Sequence, residues 1–374
     1  MTVAHRCVAL FVVLLPLGAC SDPGTAPTTA LTFSQPPGSP FAAGSGAFAV
    51  AIGDLDRNGV LDLVVANPDS DSLSVLLGTG EGTFQAPRTL PAGNEPRFAA
   101  IADLDGDGDL DLVVANAESD NVAALLGNGE GTFQARPASP TGRLPLSLAI
   151  GDLNGDGSPD LAVAAYFAGA SVLLGNGDGT FRDARVVAGG DGVTSVAIAK
   201  LNGDGIPDLV VVNTEADEFA VLLGHGDGTY AIEPTVGVGS QSLALVTGDF
   251  DRDGVLDLAV ANGFSNDVAV LLGDGEGHFR APRRFGVGSD PRALAAGDLD
   301  GDGILDLAVA NLTLNSVSVL LGNGNGTFRQ QKTFAAGSEP SGVGIGDLNG
   351  DGAPDLVVAN HGSDTVTVLL NRGR

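Results

Sequence analysis

The chain repeats itself every 49 residues, and few folds accommodate that. An acidic segment, Asp54-Leu-Asp56-Arg-Asn58-Gly-Val-Leu-Asp62, returns as Asp103-Leu-Asp105-Gly-Asp107-Gly-Asp-Leu-Asp111. Further copies begin at Asp152, Lys200, Asp249, Asp298 and Asp347, all 49 residues apart except for a single step of 48 that ends at Lys200. A second motif, Leu-Leu-Gly-x-Gly-x-Gly-x-Phe/Tyr, starts at Leu76, Leu125, Leu173, Leu222, Leu271 and Leu320 and keeps step with the first. A unit recurring at fixed spacing is one supersecondary element that buries its apolar face only against its neighbours. Short β-rich runs such as Asp62-Leu-Val-Val-Ala-Asn67 alternate with Gly-rich turns, and no stretch sustains a helical period. Seven such units predict an all-β fold, a seven-bladed β-propeller of four-stranded antiparallel blades.

Within a unit the pattern reads as strands A to D. In the first copy these are Phe48–Gly53, rich in Ala and Gly as seven strands crowding one axis require, then Leu61–Asn67, Ser72–Leu77 and a strand around Phe84–Leu90. The seventh copy stops at Leu369-Leu370-Asn371-Arg372-Gly-Arg374, after strand C. Leu31-Thr-Phe33-Ser-Gln-Pro-Pro37 resembles the strand D segment Thr83-Phe84-Gln-Ala-Pro87. The N-terminal strand is therefore expected to complete the last blade and close the ring, which leaves no open edge. Residues 31–374 then form one domain.

The acidic loop carries the chemistry. Carboxylates or amides at its positions 1, 3, 5 and 9 place hard oxygens around one point, and Gly at position 6 permits the sharp turn. The candidate ligands are Asp54, Asp56, Asn58 and Asp62; Asp103, Asp105, Asp107 and Asp111; Asp152, Asn154, Asp156 and Asp160; Asp249, Asp251, Asp253 and Asp257; Asp298, Asp300, Asp302 and Asp306; and Asp347, Asn349, Asp351 and Asp355. Oxygens on a flexible loop suit Ca²⁺ better than Mg²⁺ or a transition metal. An EF-hand needs Glu at position 12, where Val65 and Val114 stand. These residues could also be plain turn formers without an ion. Against that, half of the 46 acidic residues sit at these four positions, a concentration that is costly without a cation. In the fourth copy Lys200 replaces the first ligand, leaving Asn202, Asp204 and Asp208. Its ammonium group repels Ca²⁺ and is expected to pair with Asp204 and Asp208, so about six Ca²⁺ are expected per chain.

The 49-residue unit, with Asp-x-Asp/Asn-x-Asp/Asn-Gly-x-x-Asp and Leu-Leu-Gly-Asn-Gly-Asp-Gly-Thr-Phe, resembles the FG-GAP/VCBS repeats of bacterial surface proteins. It is also similar to the seven-bladed propeller of integrin α subunits. The resemblance spans about residues 31–374 and implies Ca²⁺ loops between strands A and B on one face, with partners bound elsewhere. It implies little about function, because the family is diverse.

Residues 1–19 read as a leader. Met1–Arg6 ends in a positive charge, and Cys7–Leu17 is too short to span a bilayer comfortably. Leu17-Gly18-Ala19-Cys20 resembles the lipobox of bacterial lipoproteins, which implies lipidation at Cys20, attachment to the cell envelope through the lipid alone, and a cell-surface or outer-membrane address. Residues 20–30 read as a Pro/Thr-rich tether.

Composition narrows the partners. A formal charge of −28 repels phosphate backbones, so no nucleic-acid partner is expected. The Gly-x-Gly-x-Gly turn lacks Lys and often carries Asp or Glu, as in Gly175-Asn-Gly-Asp-Gly179. It therefore reads as a tight C–D connection, not a phosphate cradle. Two Cys and four unclustered His provide no disulfide framework or zinc spacing.

Function must lie where the repeat breaks. Six B strands end in Asn, at Asn67, Asn116, Asn213, Asn262, Asn311 and Asn360, whereas blade three reads Ala165-Tyr166-Phe167-Ala168 and is one residue short. Tyr166 and Phe167 either stack on a sugar or grip a partner, or they pack locally. Phe264, His361, Arg97, Arg143 and Arg292 fall in corresponding loops. The reading that results is a monomeric, non-enzymatic binding module for a protein or carbohydrate. The alternative is a polysaccharide lyase or hydrolase, for which no catalytic set is evident.

Overall fold

The structure is a computed structural model and describes residues 31–373. The leader, the tether and Cys20 lie outside the described residues. Blade one has strands A to D at Ala49–Gly53, Asp62–Asn67, Ser72–Leu76 and Arg88–Pro91, hydrogen-bonded in that order. The other sheets repeat this antiparallel meander, giving seven four-stranded blades as the repeat requires. Helix among the described residues amounts to two single turns, Pro68–Ser70 and His361–Ser363.

The B strands begin at Asp62, Asp111, Asp160, Asp208, Asp257, Asp306 and Asp355, the ninth residues of the acidic loops. Each reads Leu-Val/Ala-Val-Val/Ala with no polar alternation, and most are buried throughout. A blade covered on both faces by its neighbours has no wet side, so continuous apolar runs are what this packing requires. Every A strand contacts the A strands on either side, and Pro340–Gly346 of blade seven lies against Ala49–Gly53 of blade one. Two positions at this axis leave no room for a side chain. A Cβ on Gly342 would meet Phe48 O at 2.8 Å, and one on Gly344 would meet Ile52 Cδ1 at 2.9 Å.

The outer strands differ from the sequence reading. Phe84 makes only an isolated bridge to Gly78, and strand D starts at Arg88, after Pro87, which has no N–H to donate. In blades two and four the outer strand is split, into Phe133–Ala135 and Ser139–Pro140, and into Tyr230–Ile232 and Val236–Gly237. In blade seven the N-terminal segment likewise pairs in two pieces. Phe33 and Ser34 lie opposite Asn371 and Leu370, and Phe41 and Ala42 lie opposite Val366 and Thr365.

The third glycine of each Gly-x-Gly-x-Gly turn works between blades. Gly82, at φ 70°, donates its N–H to Leu348 O of blade seven at 3.1 Å, and Gly131, Gly277 and Gly326 do the same to Leu55, Leu201 and Phe250. A Cβ on Gly82 would lie 2.5 Å from Leu370 Cδ2, whereas one on Gly80, at φ 85°, would meet nothing closer than 3.6 Å. Gly80→Ala should therefore cost about 1 kcal/mol, the left-handed backbone penalty alone. Gly82→Ala should cost about 2 kcal/mol or more, because overlap with Leu370 is added. Equilibrium urea unfolding of the two variants separates these costs, and equal losses would show that the close approach of Gly82 to Leu370 carries no weight.

Candidate functional site

Each acidic loop is pinned at both ends. The residue at position 2, Leu55, Leu104, Leu153, Leu201, Phe250, Leu299 or Leu348, is buried in the core. Its N–H donates to Oδ2 of the position 9 aspartate at 2.7–2.9 Å in all seven blades. Oδ1 of the same aspartate accepts the N–H of the first glycine of the C–D turn, from Gly78 at 2.7 Å through Gly322 at 2.7 Å. Blade seven uses Asn371 in that place, at 2.8 Å. The position 9 carboxylates are thus fully buried and bridge two loops.

Burial is also the dominant influence on their acidity. It outweighs the two N–H donors and pushes Asp62, Asp257 and Asp355 up to about 6 and Asp306 up to about 7. Asp111, Asp160 and Asp208 move up for the same reason.

Positions 1, 3 and 5 wrap the loop around itself. Asp54 accepts the N–H groups of Asn58 and Gly59 at 3.1 and 2.9 Å; Asp298 accepts those of Gly301, Asp302 and Gly303 at 2.8, 3.0 and 2.9 Å. Three carboxylates converge, with ligand oxygens within 4.8 Å of one another, in four loops. The sets are Asp54, Asp56 and Asp62; Asp103, Asp105 and Asp111; Asp249, Asp251 and Asp257; and Asp298, Asp300 and Asp302. Asp251 Oδ1 and Asp300 Oδ1 are buried without a hydrogen-bond partner. Burial and the neighbouring carboxylates hold both groups above the usual carboxylate range. An orphaned anionic oxygen among carboxylates fits a hard divalent cation, although in loop six the Arg329 guanidinium already lies 3.6 Å from Asp300 Oδ2 and 3.8 Å from Asp302 Oδ2. In loops three and seven an Asn occupies position 3, and its amide donates to Asp156 at 2.9 Å or Asp351 at 3.1 Å. Asp152, Asp160, Asp347 and Asp355 keep the places of the other loops, with Asp107 and Asp253 at position 5 of theirs.

Blade four corrects one expectation. Lys200 is exposed, and no ion pair among the described residues joins it to Asp204 or Asp208. Asp208 is already taken by Leu201 and Gly224, and Asp204 by Asn202 Nδ2 at 2.9 Å and by the Ile206 N–H at 2.7 Å. The loop closes without the lysine.

The other ends of the B strands carry a second ladder, which the sequence reading missed. An Asp or Asn four residues after each strand-ending Asn adopts positive φ and accepts an N–H from the segment entering the next blade. Asp71 accepts from Glu95, Asp120 from Leu144, Asp217 from Gln241, Asn266 from Asp290, Asn315 from Glu339 and Asp364 from Gly46, at 2.6–2.9 Å. The signal was present in the sequence as a second acidic or amide residue at the same period. Blade three lacks it. Gly169, at φ 85°, stands there, and a Cβ on it would meet Ala188 O at 2.0 Å. Tyr166 O instead accepts the Gly192 N–H at 2.7 Å.

The two aromatics of that turn are brought together. Their rings pack edge to face at 4.9 Å, Tyr166 Oη donates to Glu215 Oε1 at 2.7 Å, and the Arg143 guanidinium lies 5.1 Å over the Phe167 ring. Phe167 keeps 41% of its surface exposed, and Phe264 and Leu314, in the same turn of blades five and six, keep 57% each. The histidines do not converge: His225 and His278 sit in glycine turns, and His361 lies between Asp69 and Glu339.

Comparison with known proteins agrees with this architecture. The FG-GAP-like repeat family matches residues 54–114, 103–163, 152–211, 200–260, 249–309 and 299–358. No curated protein matches the chain. Among solved structures, BBS1N in complex with ARL6DN has a TM-score of 0.64 at 13% identity, covering 89% of this chain and 94% of that one. An Agrocybe aegerita lectin that recognises non-reducing terminal N-acetylglucosamine has a TM-score of 0.54 at 19% identity, with 87% and 88% covered. A catalytically inactive virginiamycin B lyase from Staphylococcus aureus, with quinupristin, has a TM-score of 0.57 at 11% identity, with 91% and 98% covered. These identities bear on fold alone.

Two outcomes follow from the position 9 carboxylates. Asp208→Ala leaves the Leu201 and Gly224 N–H groups without an acceptor and should destabilise the chain by about 3 kcal/mol, equally with and without chelator. A raised carboxyl favours the folded state while protonated, so this contribution is complete below about pH 4 and fades as pH rises through about 6–7. Chelated protein should therefore lose stability between about pH 4 and pH 7, and Asp306→Asn should flatten that slope in urea unfolding.

Proposed function

The chain belongs to the FG-GAP-like repeat family, and we propose that it is a calcium-stabilised, non-enzymatic binding module for a protein or carbohydrate, displayed on the cell envelope by a lipid on Cys20. Calcium is supported by four convergent carboxylate sets and by the orphaned oxygens of Asp251 and Asp300. Loops three and seven keep three carboxylates and an amide each, so the expected load is six Ca²⁺, with loop four left out by Lys200. When bound, the ions supply charge neutralisation and cross-linking within each loop. No helix among the described residues is long and apolar enough to cross a membrane.

The observation that carries the binding reading is the broken turn of blade three. There the recurring Asx clamp is absent, and the turn carries an aromatic pair in which Glu215 holds Tyr166 and Arg143 lies over Phe167, whose ring stays open to solvent. A preset, half-exposed aromatic face is a low-entropy platform for the apolar face of a sugar or for a partner side chain.

Metal analysis of Ca²⁺-equilibrated protein should return six ions per chain, and chelation should lower the melting temperature. Seven ions, or an unchanged melting temperature, would contradict the loop assignment. Protein lacking residues 1–30 should bind members of a glycan or surface-protein array, and Tyr166→Ala and Phe167→Ala should weaken that binding at least about tenfold without changing the calcium load. Depolymerisation of an acidic polysaccharide by the same protein would favour an enzyme instead.

A further inference from the structure

Blade five departs from the repeat twice in one turn. The residue before the turn aromatic is threonine in the other five copies, at Thr83, Thr132, Thr180, Thr229 and Thr327, but it is His278 in blade five. The second residue of the turn is Thr79, Asn128, Asn176, His225 or Asn323 elsewhere, but it is Asp274 here.

Together with Glu276, these two residues offer ligand atoms within 4.8 Å of one another. His278 Nδ1 lies 3.3 Å from Asp274 Oδ2, and on the far side of the ring Glu233 Oε2 of blade four lies 3.9 Å from Nε2. The turn is held in shape by Asp274 Oδ1, which accepts the N–H groups of Glu276 and His278 at 2.8 and 3.1 Å. The side chains need no rearrangement to be reached: His278 is 58% exposed and borders a groove of about 160 Å³ lined also by Glu233, Pro234 and Phe279.

The chemistry differs from that of the acidic loops. Ca²⁺ takes oxygens, whereas one imidazole nitrogen with two carboxylates is a donor set for Zn²⁺ and its d-block neighbours. A carboxylate beyond the second ring nitrogen is the usual device for orienting a ligating imidazole and raising its basicity. The position in the ring is also informative. The Gly277 N–H of this turn donates to Leu201 O at 3.1 Å, so the cluster sits against the acidic loop in which Lys200 has replaced the first ligand.

We propose that Asp274, Glu276 and His278 form a site for a divalent d-block cation, Zn²⁺ being the representative ion, at the junction of blades four and five, with Glu233 positioning the imidazole. The test uses the full chain, stripped with chelator and returned to excess Ca²⁺ so that the acidic loops are filled. Calorimetric titration with Zn²⁺ should show one micromolar site that millimolar Ca²⁺ does not displace. Co²⁺ in its place should give the visible d–d absorption of nitrogen and oxygen ligation. His278→Thr, which restores the residue of the other turns, should abolish the site and leave the melting temperature in Ca²⁺ unchanged. Asp274→Asn, likewise a residue of the other turns, should also abolish it, which guards against a folding defect in either variant. Glu233→Gln should weaken Zn²⁺ about tenfold, and His225→Ala should leave binding untouched. Undiminished Zn²⁺ binding by both turn variants, or displacement of Zn²⁺ by Ca²⁺, would overturn the proposal.

Discussion

The rest of each blade is arranged around one buried carboxylate. Withdrawing an aspartate from water is costly, and the cost is offset only where charge-assisted hydrogen bonds replace the lost hydration. The position 9 aspartate has two, one from the start of its own loop and one from the C–D turn. This pairing ties strands A, B and C together at one end of the blade. Because position 2 is anchored by its buried side chain and its N–H at once, the intervening residues curl, and carboxylates at positions 1, 3 and 9 converge in loops one, two and five and at positions 1, 3 and 5 in loop six. The candidate cation cage is thus a by-product of closing the blade. A bound cation would relieve the repulsion that closure creates among these carboxylates.

At the opposite end of the blades the structure uses the side chain of an Asp or Asn in left-handed conformation. The Asp or Asn in left-handed conformation tolerates a backbone that most residues avoid, and its side chain accepts an N–H from the next segment. Asp364 does this for Gly46, so the step from blade seven to blade one is made with the same contact as the others. Only the clamp residue and the strand-ending Asn are specified there. The three residues between them vary, as Asp69, Glu118, Phe167, Glu215, Phe264 and Leu314 show. One end of the molecule is constrained by charge in every copy, while the other presents seven turns whose tips can diverge without disturbing the blades.

The period made the fold legible. Seven acidic segments count seven blades, and apolar runs without alternation announce sheets covered on both faces. The four convergent carboxylate sets all lie in loops that the same spacing marks in the sequence. What stayed hidden was the division of labour within those sites. Nothing in the letters distinguishes Asp62, which holds two backbone N–H groups in the core, from Asp56, which does not. Lys200 invited a salt bridge because charge can be read from sequence whereas prior engagement of Asp204 and Asp208 cannot. The outer strands begin four residues past the turn aromatic in blades one, three, five and six, preceded by Pro87, Ala184, Pro282 and Gln331, so no single residue type marks the offset in the sequence.

Blade four separates two roles that the other blades combine. Its loop has no carboxylate at position 1, yet Asp208 makes both of its backbone hydrogen bonds, at 2.8 Å each, as the aspartates of intact loops do. The clamp therefore does not depend on a complete cage. The converse does not hold. Without the carboxylate at position 9, the loop would lose the contact that fixes its end to the C–D turn. A repeat of this kind can lose a carboxylate from its cage while keeping its blade, whereas losing the position 9 carboxylate removes both backbone hydrogen bonds at once. That asymmetry explains why position 9 is Asp in all seven copies whereas positions 1, 3 and 5 admit Lys200, Asn154 and Asn58.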